Sequence, residues 1–280
     1  MNTKEFKNYL ISNEKSDATV ERYMRDVTAY IRWLDGREMS KELMIQYKAK
    51  LVDNYEPASV NTMLASLNAY LDFIGHPEYK VRNIKIQKST YIEPKRELTK
   101  EEYERLLKTA YDMGKYRIYY IMQTICSCGI RVSELKFITV EAIKRGIAHI
   151  SNKGKNRRVF IPNALSKLLQ QYINLKKIKS GIIFKTRTGK PLDRSNVWKE
   201  MKKLCRKAGV LESKVFPHNL RHLFAQMYYK IHKDVIRLAD ILGHSSVNTT
   251  RIYTAESGEI HYKRIQILGL VFDFKCRNTT

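Results

Sequence analysis

The feature that most constrains this chain is a break in its pattern. Residues 79–96, Y-K-V-R-N-I-K-I-Q-K-S-T-Y-I-E-P-K-R, are polar, basic and without helical or strand period, and Gly75-His76-Pro77 closes whatever comes before. A chain of 280 residues interrupted in this way reads as two domains, each with its own core. The expected division is an N-terminal domain over 1–78, a linker over 79–96 and a C-terminal domain over 97–280.

Before the break, apolar residues recur at helical intervals. They predict helices over 2–12, over 16–34 (Val20, Tyr23, Val27, Tyr30, Ile31, Leu34), from Ser40 through Leu43, Tyr47 and Leu51, and from Pro57 through Val60, Leu64, Leu67, Leu71 and Ile74. Ser16 or Asp17 is available to cap the second, and Pro57 suits a first helical turn. Four such helices make a small bundle. After the break, Leu98-Thr99-Lys100-Glu101-Glu102 restarts the chain with a capping-box signature. Helical patterns follow over 101–112 and 117–126. Two short alternating runs, 147–150 and 157–162, flank an Asn/Gly turn and predict a hairpin. Further helices are expected over 164–175, 194–207, 219–231, 234–242, 247–253 and, last, 259–268. The fold class is mainly α with a small β-hairpin or sheet.

Charge narrows the partner. The net charge is +24, and residues 1–90 hold 14 Lys+Arg against 12 Asp+Glu, leaving 38 against 16 for the rest. The excess therefore sits in the larger domain, where a polyanion is expected. Nucleic acid is favoured because each neutralised phosphate releases counterions, although charge alone does not separate DNA from RNA or an anionic membrane. No run of 18 apolar residues is present to span a bilayer. The start, M-N-T-K-E-F-K-N-Y-L, has no apolar signal core, so a cytoplasmic protein without a membrane partner is expected. Cys126, Cys128, Cys205 and Cys276 lack C-x-x-C spacing and read as reduced thiols rather than zinc ligands.

The densest chemistry lies in P-H-N-L-R-H at 217–222 and L-G-H-S-S-V-N-T-T-R-I-Y-T at 242–254. These stretches carry two imidazoles (His218, His244), a guanidinium (Arg221) and a phenol (Tyr253). A tyrosine hydroxyl with a pKa of about 10 becomes a nucleophile only beside cations or a proton acceptor, and both surround it here. Phosphoryl transfer also needs charge neutralised on the equatorial oxygens. No clustered set of Asp and Glu offers to hold Mg²⁺ for this, so arginine would do it, gripping two oxygens with its planar fork. His218 and His222, at i and i+4, invite a zinc reading, but the glutamate of H-E-x-x-H is missing.

H-x-L-R-H followed by L-G-H and T-x-x-Y resembles the C-terminal active-site half of tyrosine recombinases, the phage-integrase and Xer-type site-specific recombinases. The resemblance covers about 97–268 well and the first domain more loosely, as a helical, SAM-like core-binding domain. It implies a two-domain clamp on double-stranded DNA. Tyr253 would attack the scissile phosphate, leaving a 3′-phosphotyrosyl link and a free 5′-hydroxyl, and exchange would pass through a Holliday junction. Arg131, in G-I-R-V-S-E-L, would pair with Arg221 to clamp the phosphate, with Glu134 in support. Lys153, in N-K-G-K-N-R-R on the hairpin turn, would protonate the leaving oxygen; Lys155 competes, and Lys153 is preferred because it directly precedes the glycine. His218 would donate to a non-bridging oxygen or assist the nucleophile, His244 would be a further donor, and His222 would support them. No metal or other cofactor is implied. Four protomers would assemble around two duplexes, for integration or excision of a mobile element, inversion or dimer resolution. Residues 259–268 and the apolar run after them would dock on a neighbouring protomer, the alternative being a tail that folds back on its own domain. Two other classes share parts of this pattern: a type IB topoisomerase, and a DNA-binding accessory protein that no longer cuts.

Overall fold

The computed structural model describes residues 3–86, 97–152, 155–186, 188–244, 246–250 and 266–267, and the chain divides into two compact units, 1–88 and 89–280.

The first unit is the expected bundle: α1 (Thr3–Ser12), α2 (Asp17–Leu34), α3 (Lys41–Asn54) and α4 (Pro57–Phe73). Its core is the periodic set. Val20, Val27, Tyr30, Leu34, Tyr47, Leu51, Val60, Leu64, Leu67 and Leu71 are buried around Phe6, Leu10 and Met44, while Tyr23, Ile31 and Ile74 pack at the margin. Ser40 caps α3 by accepting from the Leu43 amide. Ser16 stands at the α2 N-terminus but pairs its hydroxyl with that of Thr19 instead of capping. The bundle also claims residues read from sequence as linker. Tyr79, Val81 and Ile84 pack on its core, and two α4 side chains bracket their backbone: Asn68 pairs with both polar groups of Val81, and Asn61 with both of Ile84. The pairing satisfies an extended segment's amides and carbonyls without a partner strand.

The second unit opens with α5 (Lys100–Asp112), whose capping box is formed: Glu102 N–H donates to Thr99 Oγ1 and Glu102 Oε2 accepts from Thr99 N–H. Then comes α6 (Tyr116–Cys128), with Ile118, Ile121, Met122, Thr124, Ile125 and Cys128 buried. A helix this apolar belongs at the centre of a core, and α5, α8 (Asn163–Lys176) and α11 (Pro217–His232) pack around it. Three features depart from the pattern expected. The G-I-R-V-S-E-L segment, given no element from sequence, continues as a 3₁₀ turn, Val132–Phe137. A short α7 (Val140–Arg145), capped by Thr139, precedes the hairpin. The single helix expected over 194–207 is two, α9 (Arg194–Lys202) and α10 (Cys205–Ala208).

The hairpin pairs β1 (Ile147–Asn152) with β2 (Lys155–Phe160) antiparallel, Ile150 opposite Arg157 and Ala148 opposite Val159. Its turn, Lys153-Gly154, is outside the described residues. α12 (Val235–Leu242) and α13 (Val247–Thr250) end the described part of the fold. Tyr253 and Cys276 lie outside it, as does the expected 259–268 helix except for Gln266 and Ile267, which are helical. Among the described residues no helix is long and apolar enough to cross a membrane.

Candidate active site

The site is assembled where four chain segments meet at the C-terminal end of α6. Gly129 caps that helix with φ +61°, and a Cβ there would collide with the Phe224 ring, so a larger residue would have to displace that side chain. The turn aims the Gly129 carbonyl at Arg221 Nη1, which donates to it over 2.6 Å, and starts the segment that carries Arg131.

Glu134 is the centre of the charge arrangement. It is fully buried, and its carboxylate takes both prongs of the Arg157 fork, Nη1 to Oε1 at 2.8 Å and Nη2 to Oε2 at 2.9 Å. Arg131 adds its backbone N–H to Oε2 at 2.7 Å and a longer guanidinium bond to Oε1 at 3.2 Å. Arg221 Nη1 stands 4.0 Å from Oε2. Burial alone would raise the pKa of Glu134, but the bonds from Arg157 and the Arg131 amide outweigh it and hold the carboxyl below its ordinary value. One carboxylate is thus set among three guanidiniums, leaving the cluster positive.

Pro217 opens α11 as its first-turn proline, and helical spacing brings His218, Arg221 and His222 onto one face. Arg221 is 1% exposed; besides Gly129 it donates through Nη2 to the Leu242 carbonyl at 2.6 Å and to His244 Nε2 at 3.1 Å. His244 follows the left-handed cap Gly243 (φ +65°). A guanidinium only donates, so Nε2 is the accepting nitrogen. The ring proton then sits on Nδ1, facing Thr250 Oγ1 at 2.8 Å, and Thr250 is fully buried. Burial, with the charges of Arg221 and Arg131 beside it, pushes His244 down to about 4. His222 is lowered to about 4 by burial and its neighbours His218 and Arg221. His218, on the exposed side and edge-on to His222 at 4.5 Å between centroids, is lowered by desolvation and by Arg221, Arg194 and Arg131. All three imidazoles are thus biased toward the neutral form, and in His244 both ring nitrogens are already engaged, Nε2 by Arg221 and Nδ1–H by Thr250.

The structure brings together Arg131, Glu134, His218, Arg221, His222 and His244; Lys153 and Tyr253 lie outside the described residues. Arg131, with 39% of its side chain exposed, and His218 face outward, while Arg221, Glu134 and Arg157 lie beneath. Such a surface suits an oxyanion with a single compact charge, such as a phosphodiester. Among the described residues no group of three or more His, Cys, Asp or Glu converges, so His218 and His222 gain no further ligand for a metal there. Arg157 was not legible as a site residue from its basic neighbours, yet a signal existed: it alternates in phase with Ile150 and Val159, both buried, and a cation in phase with a core needs a partner. Thr250 carried no such signal.

Residues 96–259 match the phage integrase family and residues 3–76 its N-terminal SAM-like domain. Tyrosine recombinase XerA of Pyrococcus furiosus is 31% identical over 260 residues, 89% of this chain and 87% of that protein. Tyrosine recombinase XerD of Staphylococcus haemolyticus is 26% identical, covering 94% of each. Among solved structures, a lambda integrase (75–356) dimer bound to a COC′ core site superposes with a TM-score of 0.72 at 18% identity over 96% of both chains. XerH bound to its difH substrate gives 0.69 at 19% identity, over 89% of this chain and 79% of that one.

Proposed function

This chain belongs to the phage integrase family of tyrosine recombinases, and from that premise we propose how its residues divide the work of a site-specific recombinase on double-stranded DNA. Tyr253 attacks the scissile phosphorus and the bond to the 5′ oxygen breaks, leaving a 3′-phosphotyrosyl link. The phenol's proton passes to neutral His218, and Lys153 supplies a proton to the departing 5′ oxygen. Arg131 meets the non-bridging oxygens from the exposed side and Arg221 adds charge from beneath; His244 becomes a further donor only by exchanging its Nε2 contact with Arg221, or its Nδ1–H contact with Thr250, for the phosphate, and Glu134 and His222 hold these groups in place. The reverse step with a partner strand's 5′-hydroxyl rejoins the backbone, so the phosphotyrosine conserves the bond and no high-energy cofactor is consumed. The 1–78 region grips the core of the site and 97–280 cuts, with four protomers around two duplexes passing through a Holliday junction, in the cytoplasm.

The observation that supports this reading most is the outward Arg131 and His218 above a buried cluster in which cations outnumber the carboxylate. The deciding experiment traps the covalent intermediate on a nicked suicide substrate in EDTA, followed by peptide mapping. An adduct at Tyr253 is expected, with Tyr253→Phe still binding DNA but forming none. An adduct at another tyrosine, or cleavage only with added metal, contradicts the assignment.

A further inference from the structure

We propose that Arg157 is a positioning residue of the cleavage reaction: by neutralising Glu134 with its own fork, it leaves Arg131 as an uncompensated cation for the scissile phosphate. The inference rests on the reading of Arg131 as a phosphate-binding residue.

Glu134 has a single negative charge to share. Arg157 meets it with the two shorter guanidinium contacts, 2.8 and 2.9 Å, in the bidentate geometry that makes an arginine–carboxylate pair strong. Arg131 spends its backbone N–H on the same carboxylate, which fixes its place in the chain, but only one guanidinium nitrogen, at 3.2 Å. The difference in exposure matches: the Arg157 side chain is 15% exposed and that of Arg131 39%. One arginine is consumed by the carboxylate and the other is presented. Arg157 is held from a second side, because the space a Cβ at Gly243 would take lies 2.8 Å from Arg157 Cδ and 3.0 Å from Nη1. The residue before His244 is thus a glycine where the Arg157 stem passes, and the inner face of the hairpin, Glu134 and the His244 turn are joined through one side chain.

Without Arg157, Glu134 would remain buried and would draw Arg131 inward to replace the lost fork, since an unpaired buried carboxylate is costly. Arg131 would be intact in sequence and withdrawn in space. The loss should therefore resemble loss of Arg131 itself and should depend on the charge of the substrate phosphate.

The test compares single-turnover cleavage of two nicked duplexes, one with an ordinary scissile phosphodiester and one with an uncharged methylphosphonate there. Arg131→Ala, Arg157→Gln and Arg157→Lys are assayed in the full chain with DNA affinity measured alongside. Arg157→Gln should lose on the order of 10²-fold on the phosphodiester, the scale of a misplaced catalytic group, and regain most of it on the methylphosphonate, as Arg131→Ala does. Arg157→Lys, which keeps a cation and most of the stem but has no fork, should show a smaller loss rescued in the same way, and it carries the test if Arg157→Gln does not fold. If Arg131→Ala is rescued and the Arg157 variants are not, or if they cleave the phosphodiester at the full rate, the proposal is overturned and Arg157 only braces the fold. If Arg131→Ala is itself not rescued, the reading of Arg131 falls, and the role given to Arg157 falls with it.

Discussion

Among the described residues each unit buries one carboxylate deeply, and the two are treated differently. In the bundle, Asp26 on α2 is 6% exposed; it accepts from buried Ser66 Oγ of α4 at 2.9 Å and from neighbouring Arg25, whose side chain is 70% exposed. One acid meets one hydroxyl and one solvated cation, and the result joins two helices. In the catalytic unit, Glu134 is fully buried among Arg157, Arg131 and Arg221, of which Arg221 is as buried as the acid itself. The first arrangement is balanced and leaves nothing over. The second holds more positive charge than it needs for folding, and unbalanced buried charge is costly unless something else is to occupy the site.

The largest effect expected from this contrast follows removal of each acid. Glu134→Ala leaves Arg221 buried with its cationic neighbours uncompensated, and should destabilise the catalytic unit by about 3–5 kcal/mol, the cost of breaking a buried ion pair. Asp26→Ala leaves a hydroxyl and an exposed arginine, and should cost about 1 kcal/mol, as for one lost hydrogen bond. Urea unfolding of the full chain, followed at Trp33 for the first unit and at Trp198 for the second in single-tryptophan variants, separates the two. Equal losses would dissolve the comparison.

A smaller difference separates two left-handed glycines. Gly36, just past the Asp35 cap of α2, has φ +79° with nothing within 4 Å of an added Cβ, whereas at Gly129 an added Cβ would meet the Phe224 ring. Gly36→Ala should therefore cost only the conformational penalty, about 1 kcal/mol. Gly129→Ala adds an overpacking term for a total of about 3 kcal/mol. It would also shift the carbonyl that orders Arg221, so cleavage should fall faster than stability. A Gly129→Ala chain as stable as Gly36→Ala would mean that Phe224 yields and the turn is not tightly set.

What could be read from sequence divides along the same line. The bundle was legible almost residue by residue, because Val20, Val27, Tyr30 and Leu34 follow a helical period and burial obeys it. Arg131, His218, Arg221 and His244 were picked out as candidates by motif, and the fold brings them together. Their division of labour was not legible, because it depends on contacts across the fold: Arg221 is withdrawn beneath the surface by carbonyls at 129 and 242, and Arg157 reaches Glu134 from 23 positions away. Short elements were lost for a related reason. Six residues of α7 and the break between α9 and α10 are set by packing, and too few turns exist for a period to show.

The smallest effect expected is a pH response confined to one unit. His222 and His244 titrate at about 4 in the fold, against an ordinary value of 6.5, and His218 is lowered as well. Between these limits the unfolded chain binds protons that the folded chain refuses. Stability is therefore complete above about pH 6.5 and declines as pH falls toward 4. Solvent screening of these incompletely buried rings reduces the loss between pH 7.5 and 5 to about 1 kcal/mol. Glu134, held low, enters only as pH falls through its ordinary carboxylate value and below, so a scan that stops at pH 5 reads chiefly the imidazoles. The bundle holds none of these three lowered imidazoles, so its transition should move less. Bound duplex should shrink the catalytic unit's response, since a phosphate beside outward His218 favours its charged form and lifts its pKa toward the unfolded value. A catalytic unit whose stability is flat from pH 7.5 to 5 would show that burial and the arginines do not hold these rings neutral, and a fall that is equal with and without DNA would show that no phosphate lies beside them.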